Sequence, residues 1–505
     1  MDIREVGVIG LGTMGAGIAE VFARGGLAVT AVEADAAALD RGMAALNGSL
    51  ARAVSRGRLS GDEQARIAAR VSPGTALGSL AGADLVVEVV PERLAIKRQV
   101  LADLDRICRP DAVIATNTSS LSVTAIAAGS ARPGRVVGMH FFNPAPVMAL
   151  VEVVTTVLTD QAVAQAVTDL ARHLGKTPVR VADRAGFVAN ALLLPYLNHA
   201  VRLLETGYAT REDIDAAATV GIGLPMGPLA LLDLIGLDTS LAILEVLDRE
   251  FGGTRCTPAP LLRRLAAAGR TGRKGGGGFY DYPPPASATG GSPDGDNADQ
   301  HLPPGTVTLI DGGEAADDGD GAGSELAGLI AAAGVNLTRN PVHASDLVVV
   351  ATGPAGGVLG PALAAARAAD AVGLHLVTPS LAELVTTPLA SAAALASARA
   401  LLARLGLRVV RCPDRPGLLV GALLYPHLRD AVVMVADGYA SPADVDAAMT
   451  LGCGYPRGPM RLLAEAGPRQ AVGVLAAMHA GYGDPAFAPP PLLTEFAAAG
   501  LALGR

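Results

Sequence analysis

The stretch that most limits the fold is Gly10-Leu11-Gly12-Thr13-Met14-Gly15, set between an apolar run over residues 6–9 and a helical pattern over 16–24. A strand that ends in G-x-G-x-x-G and passes straight into a helix is the first turn of a doubly wound α/β sheet. The glycines permit the tight turn and let an anion approach the helix N-terminus, whose first N–H groups lack partners within the helix. A second apolar run over 28–32 ends in Glu33, the acid that this fingerprint asks for about 20 residues on. Glu33 can accept from ribose hydroxyls; with Asp35 nearby and no adjacent arginine it repels a 2′-phosphate. The pattern calls for NAD rather than NADP, with FAD left open as the alternative.

The chain has 505 residues, 50% of them hydrophobic and 17% charged. At about 100–200 residues per domain this is room for roughly three or four domains with sizeable cores. A net charge of -8, no Trp and 3% aromatics argue against nucleic acid as a partner. No apolar run is long enough for a membrane span, and the N-terminus enters a strand with no leader pattern. Cys108, Cys256, Cys412 and Cys453 are scattered without a C-x-x-C, which points to a reducing, cytoplasmic setting and to no metal site.

Chemistry concentrates in residues 136–154. An apolar run delivers His140, Asn143-Pro144 breaks the strand, and a second apolar run carries Glu152 between Val151 and Val153. Two neighbouring strands can bring these side chains together across a turn. A carboxylate beside an imidazole fixes its tautomer and favours its protonated form, which suits proton transfer near neutral pH. A core histidine and an edge glutamate are the bland alternative; a position downstream of the glycine fingerprint weighs against it.

Other candidates lie along the way. Ser49, Arg52 and Arg56 share one face of a helix, either solvated or a landing site for phosphates. A buried strand over 84–90 leads to Glu92 and to a helix with Lys97. A strand over 113–115 ends in Thr116-Asn117-Thr118-Ser119-Ser120, small hydroxyls at the edge where doubly wound sheets bind ligands. A helix N-cap is the competing reading for Ser119 or Ser120.

The motifs GLGTMGAGIA, VVEVVPERLAIK, TNTSSL, GMHFFNP, LVEVV, DRAGFVANALL, GIGLPMGPLALLDLIGLD and GGGFYDY, in this order over roughly residues 1–282, resemble the L-3-hydroxyacyl-CoA dehydrogenase family. The resemblance implies a Rossmann-type NAD-binding domain followed by an all-α domain. It implies NAD as cofactor and an acyl-CoA substrate, with His140 as the proton-transfer group and Glu152 orienting it. Ser119 and Asn190 would contact the substrate's 3-oxygen. Glu92, Lys97, Ser119, Asn143 and Lys274 match cofactor-proximal positions, beside Gly10, Leu11, Gly12, Thr13, Met14, Gly15 and Glu33. Ser49 and Arg56 match positions that hold CoA, with Arg56 in place of a frequent lysine and Glu33 in place of a frequent Asp.

The expected domains are the NAD-binding domain (1–184), the helical domain (185–282), a Pro/Gly/Ser-rich linker (283–303), a degenerate Rossmann-like segment (304–412) and a second helical copy (413–505). The second copy rests on a repeat at constant offset: Asp183 and Asp414 (414 − 183 = 231), Tyr208 and Tyr439, Pro228 and Pro459. In the degenerate segment Asp311-Gly312-Gly313 replaces the full fingerprint. Asp346-Leu347-Val348 echoes Asp84-Leu85-Val86 (346 − 84 = 262), and His375 echoes His140 (375 − 140 = 235). The 27 residues lost between them (262 − 235 = 27) cover the counterpart of Asn117–Ser120. Thr386 is taken to stand where Glu152 would, and Gly421 replaces Asn190, so His375 is read as structural and one active site per chain is expected. The resemblance implies that one-copy members self-associate through the helical domain. This chain is then expected to be a homo-oligomer, or a monomer with an internally duplicated dimerisation domain.

The leading expectation is NAD-dependent, reversible oxidation of a short L-3-hydroxyacyl-CoA, such as 3-hydroxybutyryl-CoA or 3-hydroxyadipyl-CoA, in fatty acid or phenylacetate catabolism. No fused hydratase is expected ahead of Met1. A dehydrogenase of free hydroxy or sugar acids (the gulonate type) and a non-catalytic NAD-binding protein are the alternatives.

Overall fold

A computed structural model of the chain describes residues 2–282, 305–311, 322–339 and 347–501. The linker 283–303 and Gly312, Gly313 and Asp346 lie outside them. The chain divides into two compact units, Met1–Leu193 with Met434–Gly458, and Leu194–Val433 with Pro459–Arg505.

The first unit is built on an eight-stranded sheet. Its strands are β1 (Glu5–Ile9), β2 (Ala28–Val32), β3 (Val71–Gly74), β4 (Leu85–Glu88), β5 (Val113–Thr116), β6 (Val136–Phe141), β7 (Leu150–Thr155) and β8 (Thr177–Ala182). They lie in the order β3-β2-β1-β4-β5-β6-β7-β8, parallel except for the antiparallel β6–β7 pair. The strand segments read as near-continuous Val/Ile/Leu runs because helices cover both faces. On one face Val8, Val87, Met139 and Val153 pack with Ile18 and Phe22 of the helix Thr13–Arg24 and Val163 and Val167 of Gln161–His173. On the other, Ile9, Val86, Ile114 and Val136 pack with Leu101, Leu104 and Ile126. Each such side chain taken from water contributes roughly 1.5–3 kcal/mol.

The second unit holds a six-stranded sheet of β9 (Thr306–Asp311), β10 (Asn336–Thr338), β11 (Leu347–Ala351), β12 (Ala371–Thr378), β13 (Leu381–Thr386) and β14 (Arg408–Pro413), ordered β10-β9-β11-β12-β13-β14. The single β11 lies between β9 and β12, where the first sheet has both β4 and β5 between β1 and β6. The expected deletion therefore removes a strand together with its ligand-side loop.

The helical repeat appears as two matching series. Helix Ala189–Glu205, helix Arg211–Ala216, a π-helical turn Ala217–Ile222 and helix Pro228–Ile235 recur as Val420–Ala436, Pro442–Ala447, a π-helical turn Ala448–Gly452 and Pro459–Ala466. The packing crosses over. Helix Pro442–Ala447, from the second copy, packs on β8 in the first unit; helix Arg211–Ala216, from the first copy, packs on β14 in the second. Among the described residues no helix is long and apolar enough to cross a membrane.

Candidate active site

Strand alternation turns His140 away from the face that buries Met139 and Phe141, and the antiparallel register sets it directly opposite Glu152. His140 Nδ1 lies 2.7 Å from Glu152 Oε2. Glu152 is fully buried, and its Oε1 accepts the N–H groups of Val188 at 2.9 Å and Ala189 at 3.0 Å. Those N–H groups open the helix Ala189–Glu205, whose positive end favours the carboxylate. With Oε2 fixed as acceptor, Nδ1 carries the proton and Nε2 is the nitrogen free to exchange one. The rings of Phe142 and Phe187 flank the imidazole, with centroids 4.5 and 5.6 Å away.

The hydroxyl-rich loop after β5 is held from behind. Glu92 Oε1 accepts from the Thr118 hydroxyl at 2.6 Å, the Ser119 N–H at 3.0 Å and the Ser120 N–H and hydroxyl at 3.1 and 3.0 Å. Lys97, buried, sits between Glu88 and Glu92 with its Nζ 3.0 Å and 3.4 Å from their carboxylates. Thr116 donates its hydroxyl to Glu88. Burial is the largest influence on Glu92 and pushes its pKa up, yet the Lys97 charge and the loop hydrogen bonds together hold it below the usual range. At Glu88 burial wins, and the pKa is raised despite Lys97. Asn190 meets this loop, its Nδ2 donating to the Ser119 carbonyl at 3.4 Å. Ser119, His140, Glu152 and Asn190 are thus brought together.

At the same carboxyl edge of the sheet, after β1, a Cβ on Gly15 would fall 1.7 Å from the Gly10 carbonyl oxygen, and one on Gly10 2.7 Å from that of Val89, so the turn closes only with glycine. Gly12 opens onto free space and caps helix Thr13–Arg24 without a side-chain bond. The helix's first N–H groups are therefore available to a pyrophosphate, which is what a dinucleotide requires. A cavity of about 380 Å³ is lined here by Gly12, Thr13, Glu33, Asn143, Ser49 and Arg52. Glu33 Oε1 accepts the Leu11 N–H at 2.6 Å. Arg56 caps the end of helix Ala36–Ser55 and does not line this cavity; Arg41, which the sequence reading passed over, does. Lys274, in the second unit, pairs with Asp238 at 2.7 Å.

The description "3-hydroxyacyl-CoA dehydrogenase, NAD binding domain" matches residues 5–184, and "3-hydroxyacyl-CoA dehydrogenase, C-terminal domain" matches residues 186–282 and again 417–504. The chain belongs to the 3-hydroxyacyl-CoA dehydrogenase family. A 3-hydroxyadipyl-CoA dehydrogenase of Escherichia coli K12 is 36% identical over 98% of both chains. A 3-hydroxybutyryl-CoA dehydrogenase of Mycobacterium tuberculosis is 47% identical over 282 residues, 55% of this chain and 99% of that one. The crystal structure of a 3-hydroxybutyryl-CoA dehydrogenase from Escherichia coli K12 superimposes with a TM-score of 0.81 at 33% identity, covering 99% of each chain.

In this chain the second sheet corrects one expectation. The counterpart of Glu152 is Glu383, not Thr386. His375 faces Glu383 across β12 and β13, with Nδ1 and Oε2 2.6 Å apart, and Glu383 Oε1 accepts the N–H groups of Leu419 and Val420 at 2.8 and 2.7 Å. The strand connection is shorter, so His and Glu stand 8 residues apart rather than 12, which displaced the alignment. Even the strained turn is kept: Phe187 and Leu418 take left-handed φ values of 49° and 48°. What surrounds the pair differs. A Cβ at Gly421 would meet that of Pro354 at 3.2 Å, so proline packs where the first copy has Asn190.

The Glu88–Lys97–Thr116 network escaped the sequence reading, although an acid ending the apolar run Leu85–Glu88 was its signal. Among the described residues no group of His, Cys, Asp or Glu is arranged to hold a metal.

Proposed function

We propose that this chain oxidises short L-3-hydroxyacyl-CoA thioesters reversibly with NAD, at one site centred on His140. The observation that carries the reading is the 2.7 Å His140–Glu152 pair joined to Asn190, whose Nδ2 reaches the Ser119 loop at 3.4 Å; the His375–Glu383 pair has Gly421 in place of that asparagine. NAD supplies the hydride acceptor when bound. His140 Nε2 takes the proton of the 3-hydroxyl in oxidation and returns it in reduction, while Glu152 holds the tautomer and balances the imidazolium. Ser119 and Asn190 donate to the 3-oxygen as charge develops there. The uncapped helix start at Gly12 and the glycine turn take the pyrophosphate, with Leu11, Thr13 and Met14 at the turn, and Glu33 takes the ribose and disfavours NADP. Asn143, which lines the same cavity as Gly12 and Glu33, belongs to the cofactor's surroundings. Glu92 and Lys97 act on the site through the Ser119 loop. Ser49 and Arg52, with Arg56 beyond them, hold the CoA phosphates.

The domain boundaries 184, 282, 303 and 412 fit this organisation, with the second helical copy serving as an internal dimerisation partner. Four unpaired cysteines, three of them buried, suit a reducing cytosol. The short-chain preference follows the names of the relatives. The test is NADH consumption with acetoacetyl-CoA beside free acetoacetate. Turnover of the thioester alone is expected; equal or preferred turnover of the free acid would replace this reading with a free-acid dehydrogenase.

A further inference from the structure

The first unit contains a piece of the second helical copy, and this piece reaches the candidate catalytic pair. Tyr439 donates its hydroxyl to the Ala182 carbonyl at the end of β8 at 2.9 Å, Arg184 lies over the Tyr439 ring at 5.2 Å and pairs with Asp437 at 3.4 Å. Beyond this anchor the π-helical turn Ala448–Gly452 packs on β7. At its end the backbone of Gly452 presses against two side chains. A Cβ there would come within 2.5 Å of Leu150 Cδ2, 3.1 Å of Phe142 Cε1 and 3.3 Å of Phe142 Cζ. Gly452 has no left-handed φ, so close approach rather than conformation is what asks for glycine. Phe142 is thereby confined on two sides, by this turn and by the His140 ring 4.5 Å away. Cys453, next along, is also close enough to feel Glu152: burial, and then that carboxylate's charge, push its thiol up to about 12.

We propose that Gly452 and Phe142 are positioning residues for His140, so that the second helical copy sets the orientation of the first copy's catalytic imidazole. The proposal rests on the reading of His140 as the proton-transfer group. The repeat supplies an internal comparison. Gly221 is the counterpart of Gly452 at the same offset (452 − 221 = 231), and it packs on Leu381 and Val420 in the second unit, with gaps of 3.1 and 2.8 Å for a Cβ. Yet the phenyl is missing there: Val377 stands two residues past His375, as Phe142 stands two past His140. The turn can therefore act through an aromatic ring in one place only.

The experiment uses the full chain and compares Gly452→Ala, Phe142→Leu, their combination and Gly221→Ala in NADH-dependent reduction of acetoacetyl-CoA, with Tm recorded for each and His140→Ala as reference. Gly452→Ala is expected to lower kcat about tenfold or more with KM for NADH unchanged, since an ångström-scale misplacement suffices for this. Gly221→Ala should keep kcat within about twofold at a comparable change in Tm. With Phe142→Leu already present, adding Gly452→Ala should cost much less, because the shorter side chain yields. A folded Gly452→Ala with kcat within about twofold of wild type overturns the proposal, as does a loss that simply multiplies with that of Phe142→Leu. Should Gly452→Ala not fold, Phe142→Leu decides: a lowered kcat at unchanged KM for NADH supports the proposal, and an unchanged kcat overturns it. Retained activity in His140→Ala would remove the catalytic reading beneath it, a failure distinct from the others.

Discussion

His375 Nδ1 lies 2.6 Å from Glu383 Oε2, in the same cross-strand register and with the same pair of helix-opening N–H groups behind the acid as His140 and Glu152. One half of the chain surrounds this pair with a hydroxyl loop, an asparagine and a glycine turn. The other surrounds it with a shortened sheet and Pro354. The pair alone is a way of joining two strands to a helix start; its neighbours turn it into a site.

Glu383 should therefore matter to stability and not to turnover. Replacing it with Ala leaves two buried N–H groups without their acceptor, at about 1–3 kcal/mol each. Chemical denaturation of Glu383→Ala should show a loss of roughly 3 kcal/mol, with kcat of the folded enzyme at the wild-type level.

Glu152→Gln keeps an acceptor for Val188 and Ala189 but offers an amide N–H to His140 Nδ1. The imidazole then carries its proton on Nε2, the wrong tautomer to accept one. Loss of kcat by roughly 10²–10⁴ is expected, as for tautomer-reversing changes in other His–carboxylate pairs. NADH affinity, measured by fluorescence titration, should change little.

Glu92 ties the Ser119 loop to the sheet with its pKa held below the ordinary carboxylate value, against the pull of burial. A lowered folded-state pKa contributes stability above the unfolded value, about 4.3, and loses it as pH falls through the folded one. Tm of the wild type should accordingly fall below about pH 4.5, and Glu92→Gln should flatten that limb. The same variant should lower kcat, because the carboxylate's four hydrogen bonds to Thr118, Ser119 and Ser120 are disrupted.

Arg52 lines the cavity beside Ser49 while exposed to solvent. Arg52→Ala should raise KM for acetoacetyl-CoA by roughly five- to tenfold, more at low salt than at high. Any turnover of a substrate without the CoA handle should not respond. An equal effect on both would assign Arg52 to the cofactor.

The glycine turn, the doubly wound class of the sheet and the His140–Glu152 pair were legible because local rules govern them: a strand–turn–helix signature and a period of two. The constant offset exposed the second helical copy for the same reason. Glu383 was missed because the strand connection shortened while register, which decides cross-strand partners, stayed fixed. Gly452 was out of reach, since nothing local to residues 448–453 says that they pack on β7. Glu92 and Lys97 were placed near the cofactor by resemblance, and only the folded structure reveals their grip on the Ser119 loop.

The central claim, a single catalytic site at His140, is tested most directly by NADH consumption with acetoacetyl-CoA in wild type, His140→Ala and His375→Ala. The account predicts turnover near the wild-type level in His375→Ala and loss of at least about 10³-fold in His140→Ala. An equally inactive, folded His375→Ala, or an active His140→Ala, would contradict it.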